Sequence, residues 1–539
     1  MALNIALLDL SLYLFLYIAL YLAMPTRRSM ADVGSLKTSE TTVRSWEGHV
    51  PATTILDGVL NGVQVVQPTV NPKPKKVQRK DFPADFKFGC ATSALQTEGA
   101  GDEGGRGPST WDRFIQDGVG DKDIAVDSYN HYKLASQEDV QLLKNMGADT
   151  YRFSISWSRI LPDGTVAGGV NQEGINFYNS FINELIKNGI TPFVTLFHFD
   201  LPQALQDKYE GFLSRQIVDD FKAYADICYH NFGDRVKYWT TINEPQIFGP
   251  YGYETRNPNP KPATDPYLAT HNIILAHAAA VKLYREKYQA TQGGEIGVSP
   301  MVQCFEPYGD TLHDKDAAKR AFDFLVGWFM EPLVFGDYPF IMKALIRDGL
   351  PEFTEAEKDL VKGSFDFIGV NYYTSRYALS QQFNKDDNYS TFSQYQYAEL
   401  KVDRNGKPIG DRTPGSTQMY IYPQGLRDAL IYMKQEYNNP KFYVTENGYP
   451  EKRNDTIPIK TALKDNARIK YIISHLFAIS EAMKRGVNVN GYFMWALLDC
   501  MEMGSGYTAR FGLAYTNYLN NLNRIPKKSA KWLKSFVGR

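Results

Sequence analysis

Eight short apolar runs rich in β-branched residues recur along this chain, at residues 86–91, 150–155, 191–197, 236–242, 295–302, 365–370, 442–444 and 489–497. Helical patterns fill the spaces between them, most clearly at 137–146, 172–188, 214–232, 267–288 and 460–485. Strands that alternate with helices pair in parallel, because consecutive parallel strands need a long crossover, and right-handed crossovers put the helices outside the sheet. Eight such units close most economically into a single (β/α)8 TIM barrel. A doubly wound open sheet is the alternative, but no G-x-G-x-x-G follows the first strand.

The chain has 539 residues, more than an ordinary single domain, but barrels of this kind routinely run long. With 43% hydrophobic and 14% aromatic residues it can bury a large core, which excludes a disordered or collagen-like protein. Lys and Arg total 59 and Asp and Glu 60, so a net charge of −1 gives no general electrostatic reason to bind nucleic acid or an anionic membrane. Cys90, Cys228, Cys304 and Cys500 lie far apart without metal-type spacing. Free thiols in a reducing compartment fit them, with one disulfide left open.

The sequence divides into an N-terminal segment 1–29, a linker 30–80 and a barrel domain 81–539. Residues 3–24 are apolar and long enough to span a membrane, but no basic region precedes them. A signal anchor, an uncleaved signal and an over-extended start all fit, with Met30 as an internal start. The linker ends in a basic run from Lys73 to Lys80. Its composition suits nuclear import or a solvated tether, whereas the apolar segment suits the endoplasmic reticulum. Membrane association and compartment therefore stay open, as does assembly into a homo-oligomer. Asn388-Tyr389-Ser390 and Asn454-Asp455-Thr456 match glycosylation acceptors, which matter only in the secretory pathway. Lys527, Lys528, Lys531 and Lys534 read as the solvated face of a last helix.

In a barrel of this type the C-terminal strand ends converge on one mouth. They carry Gln96 and Glu98, Arg152, His198, Asn243 and Glu244, Asn371 and Tyr373, Glu446, and Trp495. Two carboxylates stand out. Thr241-Ile242-Asn243-Glu244-Pro245 ends the fourth strand, where proline stops the ladder; Val444-Thr445-Glu446-Asn447-Gly448 ends the seventh, with Asn447-Gly448 as a ready turn. Taken singly, either glutamate also fits a turn or cap residue. Taken together across a barrel mouth they match what glycoside hydrolysis needs: one acid for the leaving oxygen and one carboxylate beneath the anomeric carbon.

Asp85-Phe86-Lys87-Phe88-Gly89, Gln96-Thr97-Glu98-Gly99, Tyr151-Arg152-Phe153-Ser154-Ile155-Ser156-Trp157, Asn243-Glu244-Pro245, Asn371-Tyr372-Tyr373-Thr374, Thr445-Glu446-Asn447-Gly448 and the Trp495…Asp499…Glu502 segment resemble glycoside hydrolase family 1, in the family's order. The resemblance implies a retaining β-glucosidase that acts on a small-molecule β-glucoside with no metal or organic cofactor. Glu244 would be the acid/base and Glu446 the nucleophile, with Tyr373 hydrogen-bonded to Glu446 and Arg152 helping to hold it ionised. Gln96, His198, Asn243 and Glu502 would bind glucosyl hydroxyls over a Trp495 platform, with Asn371 in support. An acid at Glu244, where myrosinases carry Gln, sets the chain apart from them. Arg106-Gly107-Pro108-Ser109, Gly169-Val170-Asn171-Gln172-Glu173-Gly174 and the segment from Asp499 onward resemble plant enzymes, in particular the strictosidine and raucaffricine β-glucosidases of monoterpenoid indole alkaloid metabolism.

Several positions depart from the family. Met503 stands where a Trp follows the sugar-binding glutamate, Leu95 replaces a Tyr, Phe199 replaces the Trp after His198, and Cys500-Met501 replace Asn-Phe. The 246–266 stretch lacks the usual Ala-Pro-Gly-Arg and the loop cysteines. Loops set substrate choice in this fold, so the sequence implies an altered, more open and Met-lined aglycone pocket. A transglucosylase on the same site and a catalytically weakened glucoside-binding protein are the competing expectations.

Overall fold

The computed structural model describes residues 77–112, 125–133, 138–253, 261, 263–383 and 391–538. The expectations for segment 1–29, for most of the 30–80 linker and for the Asn388 tripeptide lie outside these residues. Eight parallel strands form a closed barrel: β1 (Lys87–Ala91), β2 (Thr150–Ser154), β3 (Thr191–Phe197), β4 (Tyr238–Asn243), β5 (Glu295–Ser299), β6 (Phe367–Asn371), β7 (Phe442–Asn447) and β8 (Val489–Trp495). Each pairs with its neighbour in sequence, and β8 closes on β1 in register from Lys87↔Gly491 to Ala91↔Trp495. All eight expected runs fall on these strands. Closure leaves no free sheet edge, so every strand is paired on both sides.

The floor of the barrel is aromatic. The Phe193 ring centroid lies 5.4 Å from those of Tyr238, Phe367 and Tyr443 and 5.0 Å from that of Phe493, so five strands contribute to one layer. Two glycines make room for it. A Cβ at Gly89 would sit 2.6 Å from the Phe493 ring, and one at Gly297 would sit 2.9 Å from the Phe367 ring. Glycine in a strand interior weakens it, and here the close approach of a ring explains its use.

The helices wrap this barrel for equally local reasons. Gln172–Lys187 begins where the Asn171 side chain accepts from the Glu173 N–H at 3.2 Å, and it buries Ile175, Phe177, Tyr178, Ile182 and Leu185 along one face. Asp265–Tyr284 is buried nearly all round, and its first turn carries Pro266. One expected helix, 460–485, is broken into Ile459–Ala462 and Asn466–Lys484. At the break the Asp465 carboxylate is drawn away to accept from Ser529 N (2.8 Å) and Oγ (2.5 Å) and from Arg468 Nε (2.9 Å). Lys527 also departs from expectation. Lys528, Lys531 and Lys534 are exposed on the last helix, Lys528–Val537, but Lys527 is buried in an ionic contact with Asp499.

At the start of the domain, Arg79 already belongs to the fold, donating to the carbonyls of Phe82, Pro83 and Ala84 beneath the Phe88 ring. Among the described residues no helix is long and apolar enough to cross a membrane, and all four cysteines are free.

Replacing Phe193 with Ala removes the ring that the other four share. The variant is expected to lose about 3–5 kcal/mol of stability, read as a lowered thermal midpoint, with the mouth of the barrel retaining its ligand affinity while folded. An unchanged midpoint would show that the floor is not part of the stabilising core.

Candidate active site

Above the aromatic floor the barrel interior turns polar, and one side chain organises that layer. Arg152, three residues into β2 rather than at its end, is fully buried. Its Nη1 donates to Glu446 Oε1 at 2.6 Å and its Nη2 to Asn243 Oδ1 at 2.5 Å, joining β2, β7 and β4 across the barrel. Tyr373, two residues beyond β6, donates its hydroxyl to the other Glu446 oxygen at 2.7 Å. Both oxygens of Glu446 therefore hold a donor, one of them charged, which fixes the direction of its carboxyl across the barrel.

Glu244 directly follows β4 with φ +39°, and its N–H bonds to the Ser299 carbonyl at 2.7 Å while its own carbonyl accepts from Ile247 N–H at 2.9 Å. The left-handed backbone is unusual for a residue with a side chain and turns the carboxyl toward the mouth. Asn371 Nδ2 bridges Glu244 Oε1 and Asn243 Oδ1, both at 3.0 Å, and Thr445 Oγ1 fixes the amide by donating to Asn371 Oδ1 at 2.7 Å. Burial, and then repulsion from Glu446, push the Glu244 carboxyl up to about 8 against the pull of Asn371 and Arg152. The two glutamates thus stand in different environments: one engaged by a cation and a phenol, the other kept protonated at neutral pH. Such a split is what separates a nucleophile from a general acid.

The remaining expected residues gather around this pair. Gln96 donates to the Met501 carbonyl at 2.7 Å and to Glu502 Oε2 at 3.4 Å. The Trp495 indole N–H donates to Glu502 Oε1 at 3.3 Å, and its ring stacks on His198 at 5.7 Å with an interplanar angle of 12°. His198 Nε2 lies 3.3 Å from Asn243 Nδ2, and its Nδ1 has no hydrogen-bond partner among the described residues. Burial pushes the His198 imidazole well below its ordinary value, with Arg152 adding to the effect, so the ring is neutral. A neutral imidazole, an amide, a carboxyl and an indole in one pocket offer both donors and acceptors, the set that recognises a polyhydroxylated ligand.

Two expectations need correction. Glu98 is not at the mouth: Arg159 Nε (2.9 Å) and Tyr178 OH (2.5 Å) take its two oxygens. Asn447 is not a turn residue. β7 runs through it, and its side chain is saturated by the Tyr372 carbonyl (2.6 Å), Tyr471 OH (2.9 Å) and Tyr492 OH (2.7 Å). Gly448, next to it, is required by contact, since a Cβ there would lie 2.2 Å from the Trp495 carbonyl. Thr445 and Met501, whose carbonyl holds Gln96, belong to the site without having been singled out; a threonine and a backbone oxygen carry no chemical signature in sequence. Phe199 (φ +73°) stacks on Phe248 with planes 8° apart, and Met503 is buried beside Glu502.

Comparison with known proteins identifies the family. The model of glycosyl hydrolase family 1 matches residues 78–539. The furostanol glycoside 26-O-β-glucosidase of Hellenia speciosa is 50% identical over 88% of this chain and 86% of that protein. The raucaffricine-O-β-D-glucosidase of Rauvolfia serpentina is 47% identical over 85% of this chain and 91% of that protein. Among solved structures, a rice β-glucosidase, a mutant in a covalent complex with glucose, aligns with a TM-score of 0.82 at 45% identity, covering 85% of this chain and 99% of that one.

If repulsion from Glu446 helps to hold the proton on Glu244, neutralising Glu446 must release it. In Glu446→Gln the Glu244 titration is expected to move down by about one unit or more, measured by carbon-13 NMR of the glutamate carboxyls. A midpoint that stays near 8 would show that burial alone sets it.

Proposed function

The chain belongs to glycosyl hydrolase family 1 and is a β-glucosidase of that family; from that premise we propose that it cleaves its substrate by double displacement, with Glu446 as nucleophile and Glu244 as acid/base. The observation that carries this reading is the pairing of Arg152 and Tyr373 on Glu446 with a protonated Glu244 at the same mouth. In the first step a Glu446 oxygen bonds to the anomeric carbon as the glycosidic C–O bond breaks, and the Glu244 proton passes to the leaving oxygen. In the second, Glu244, now a carboxylate, takes a proton from water as that water attacks the anomeric carbon and frees Glu446. Two inversions at one carbon return a β-anomer. The covalent glucose of the rice relative supports the intermediate.

Glu502, Gln96, His198 and Asn243 bind the glucosyl hydroxyls in this reading, with Trp495 beneath the ring. The aglycone leaves on the Glu244 side. The loops after β4, β5 and β6 enclose a cavity walled by Gln246, Tyr251, Met301, Phe305, Phe324 and Phe392, which we assign to the aglycone. For the aglycone we propose a monoterpenoid indole alkaloid, with strictosidine as the substrate; the likeness to raucaffricine-O-β-D-glucosidase and a largely apolar wall including Met301 support that choice.

Glucose release from strictosidine, from a furostanol 26-O-glucoside and from a simple aryl glucoside tests both levels of the proposal. Strictosidine is expected to be cleaved fastest, the β-anomer of glucose to appear first by proton NMR, and Glu446→Ala to lower turnover by about a thousandfold or more, some 4 kcal/mol of barrier. Cleavage of the aryl glucoside alone would remove the alkaloid assignment and leave the mechanism. Added alcohols that capture most of the glucosyl group would identify a transglucosylase, and folded protein that binds but cleaves none of the three would identify a binding protein.

Restoring the indole at Met503 adds one donor beside Glu502. A hydrogen bond contributes about 0.5–1.5 kcal/mol, so Met503→Trp is expected to tighten glucoside binding roughly two- to tenfold. A KM that rises would show that the pocket is shaped around the thioether.

A further inference from the structure

Behind the Trp495–Glu502 arm lies a group of buried charges that neither the proton transfers nor the sugar contacts use. Asp499 is fully buried: its Oδ1 accepts from Lys527 Nζ (2.8 Å) and Gly512 N (2.9 Å), and its Oδ2 from Arg510 Nη1 (2.8 Å). Next to it Arg468 pairs with Asp465 (2.9 Å) and Glu451 (2.8 Å) and donates to the carbonyls of Tyr449, Phe511 and Arg510. Lys527 Nζ also lies 3.6 Å from Glu451, and Arg510 reaches Asp455 at 3.4 Å. Against burial, which pushes upward, Lys527, Arg510 and Arg468 hold the Asp499 carboxyl below its ordinary value.

The location of this cluster matters more than its strength. It ties together the segment after β7, which follows Glu446; the segment after β8, which carries Glu502; and the start of the last helix. Residues 496–503 have little regular structure of their own. They are held by backbone bonds to the 509–514 segment, such as Ala496 N to Phe511 O (3.2 Å) and Asp499 N to Ala514 O (3.0 Å). Two residues past Asp499, the Met501 carbonyl anchors Gln96, and the next residue is Glu502. Apolar packing stabilises a buried site as well as an ion pair does, often better, but it does not fix direction. Three charge-assisted or backbone donors converging on one carboxylate do fix it.

We propose that Asp499, clamped between Lys527 and Arg510, is a positioning residue that aims Glu502 and the Met501–Gln96 contact at the sugar, so that the residue capping the start of the C-terminal helix governs discrimination among sugar hydroxyls. The proposal rests on the assignment of Gln96 and Glu502 as sugar-binding groups. A hydroxyl hydrogen-bonded by groups aimed at it in a buried site is what lets an enzyme reject the analogue that lacks it. An arm that can drift loses that power before it loses the chemistry.

The test compares kcat/KM for 4-nitrophenyl β-glucoside and its monodeoxy analogues in the full chain and in Glu502→Gln, Asp499→Asn, Lys527→Met, Lys527→Arg and Arg524→Gln, each with its thermal midpoint. Arg524 is the control, since its buried pair with Asp139 (3.0 Å) stabilises the same C-terminal region without reaching the arm. The native chain and Arg524→Gln should disfavour at least one deoxy analogue by about tenfold or more. Asp499→Asn and Lys527→Met should lose most of that ratio through slower cleavage of the parent glucoside, and Lys527→Arg should recover part of it. Folded Asp499→Asn or Lys527→Met with the ratio intact overturns the proposal, as does equal erosion in Arg524→Gln. A ratio that Glu502→Gln leaves unchanged would instead remove the sugar-binding assignment, and the proposal with it.

Discussion

A positive charge with no access to water sits at the centre of this molecule. Arg152 is buried inside the barrel, and the cost of dehydrating a guanidinium there is met only by oriented partners. Glu446 and Asn243 supply them from two other strands, and Asn371 and Tyr373 extend the same network to β6 and the segment after it. Four strands are thereby fixed relative to one another by directional bonds rather than by packing alone. The reactive geometry and the barrel's upper layer are held by the same contacts, so neither can relax without the other. Breaking such a buried pair by deleting one partner strands the other charge, a loss of about 3–5 kcal/mol.

The strands were legible because their signal is local. A buried parallel strand is a short apolar run, and eight of them with helices between admit few topologies. Glu244 and Glu446 were legible for a different reason: a carboxylate ending such a run is chemically conspicuous, and two of them on strands facing one mouth are more so. What sequence did not disclose depends on contacts between distant segments. Lys527 looks like its three exposed neighbours until Asp499 is folded against it, and the helix break at Asp465 depends on Ser529, sixty-four residues away. Glu98 sits in a strand-end motif beside Gln96, yet Arg159 and Tyr178 claim it. Asn447 reads as a turn because Asn-Gly usually is one; three tyrosines, one of them through its backbone carbonyl, override that local preference.

Two departures from the family pattern, Phe199 and Met503, adjoin His198 and Glu502 in the chain. Phe199 compensates by stacking on Phe248, so the lost indole is replaced by ring packing. Met503 does not compensate in kind. It fills space beside Glu502 with a flexible, polarisable side chain that offers no N–H. Burial pushes the Glu502 carboxyl well above its ordinary value, while the Trp495 indole and Gln96 pull it down. Within the protein this glutamate accepts from the Trp495 indole, the Gln96 amide and the Cys500 thiol (3.9 Å), and Gln96 is in turn held by the Met501 carbonyl of the same loop.

The ring layer formed by Phe193, Tyr238, Phe367, Tyr443 and Phe493 has a consequence for traffic through the barrel. It plugs the end opposite the mouth, so the cavity is a blind well rather than a passage. Whatever enters glycone first lies at the bottom, beneath its own leaving group. On the mechanism proposed above, departure runs in the reverse order of depth: the aglycone clears the opening, water follows it in, and glucose leaves last by the same mouth. A well of this shape makes the exit of the sugar wait on the exit of everything stacked above it.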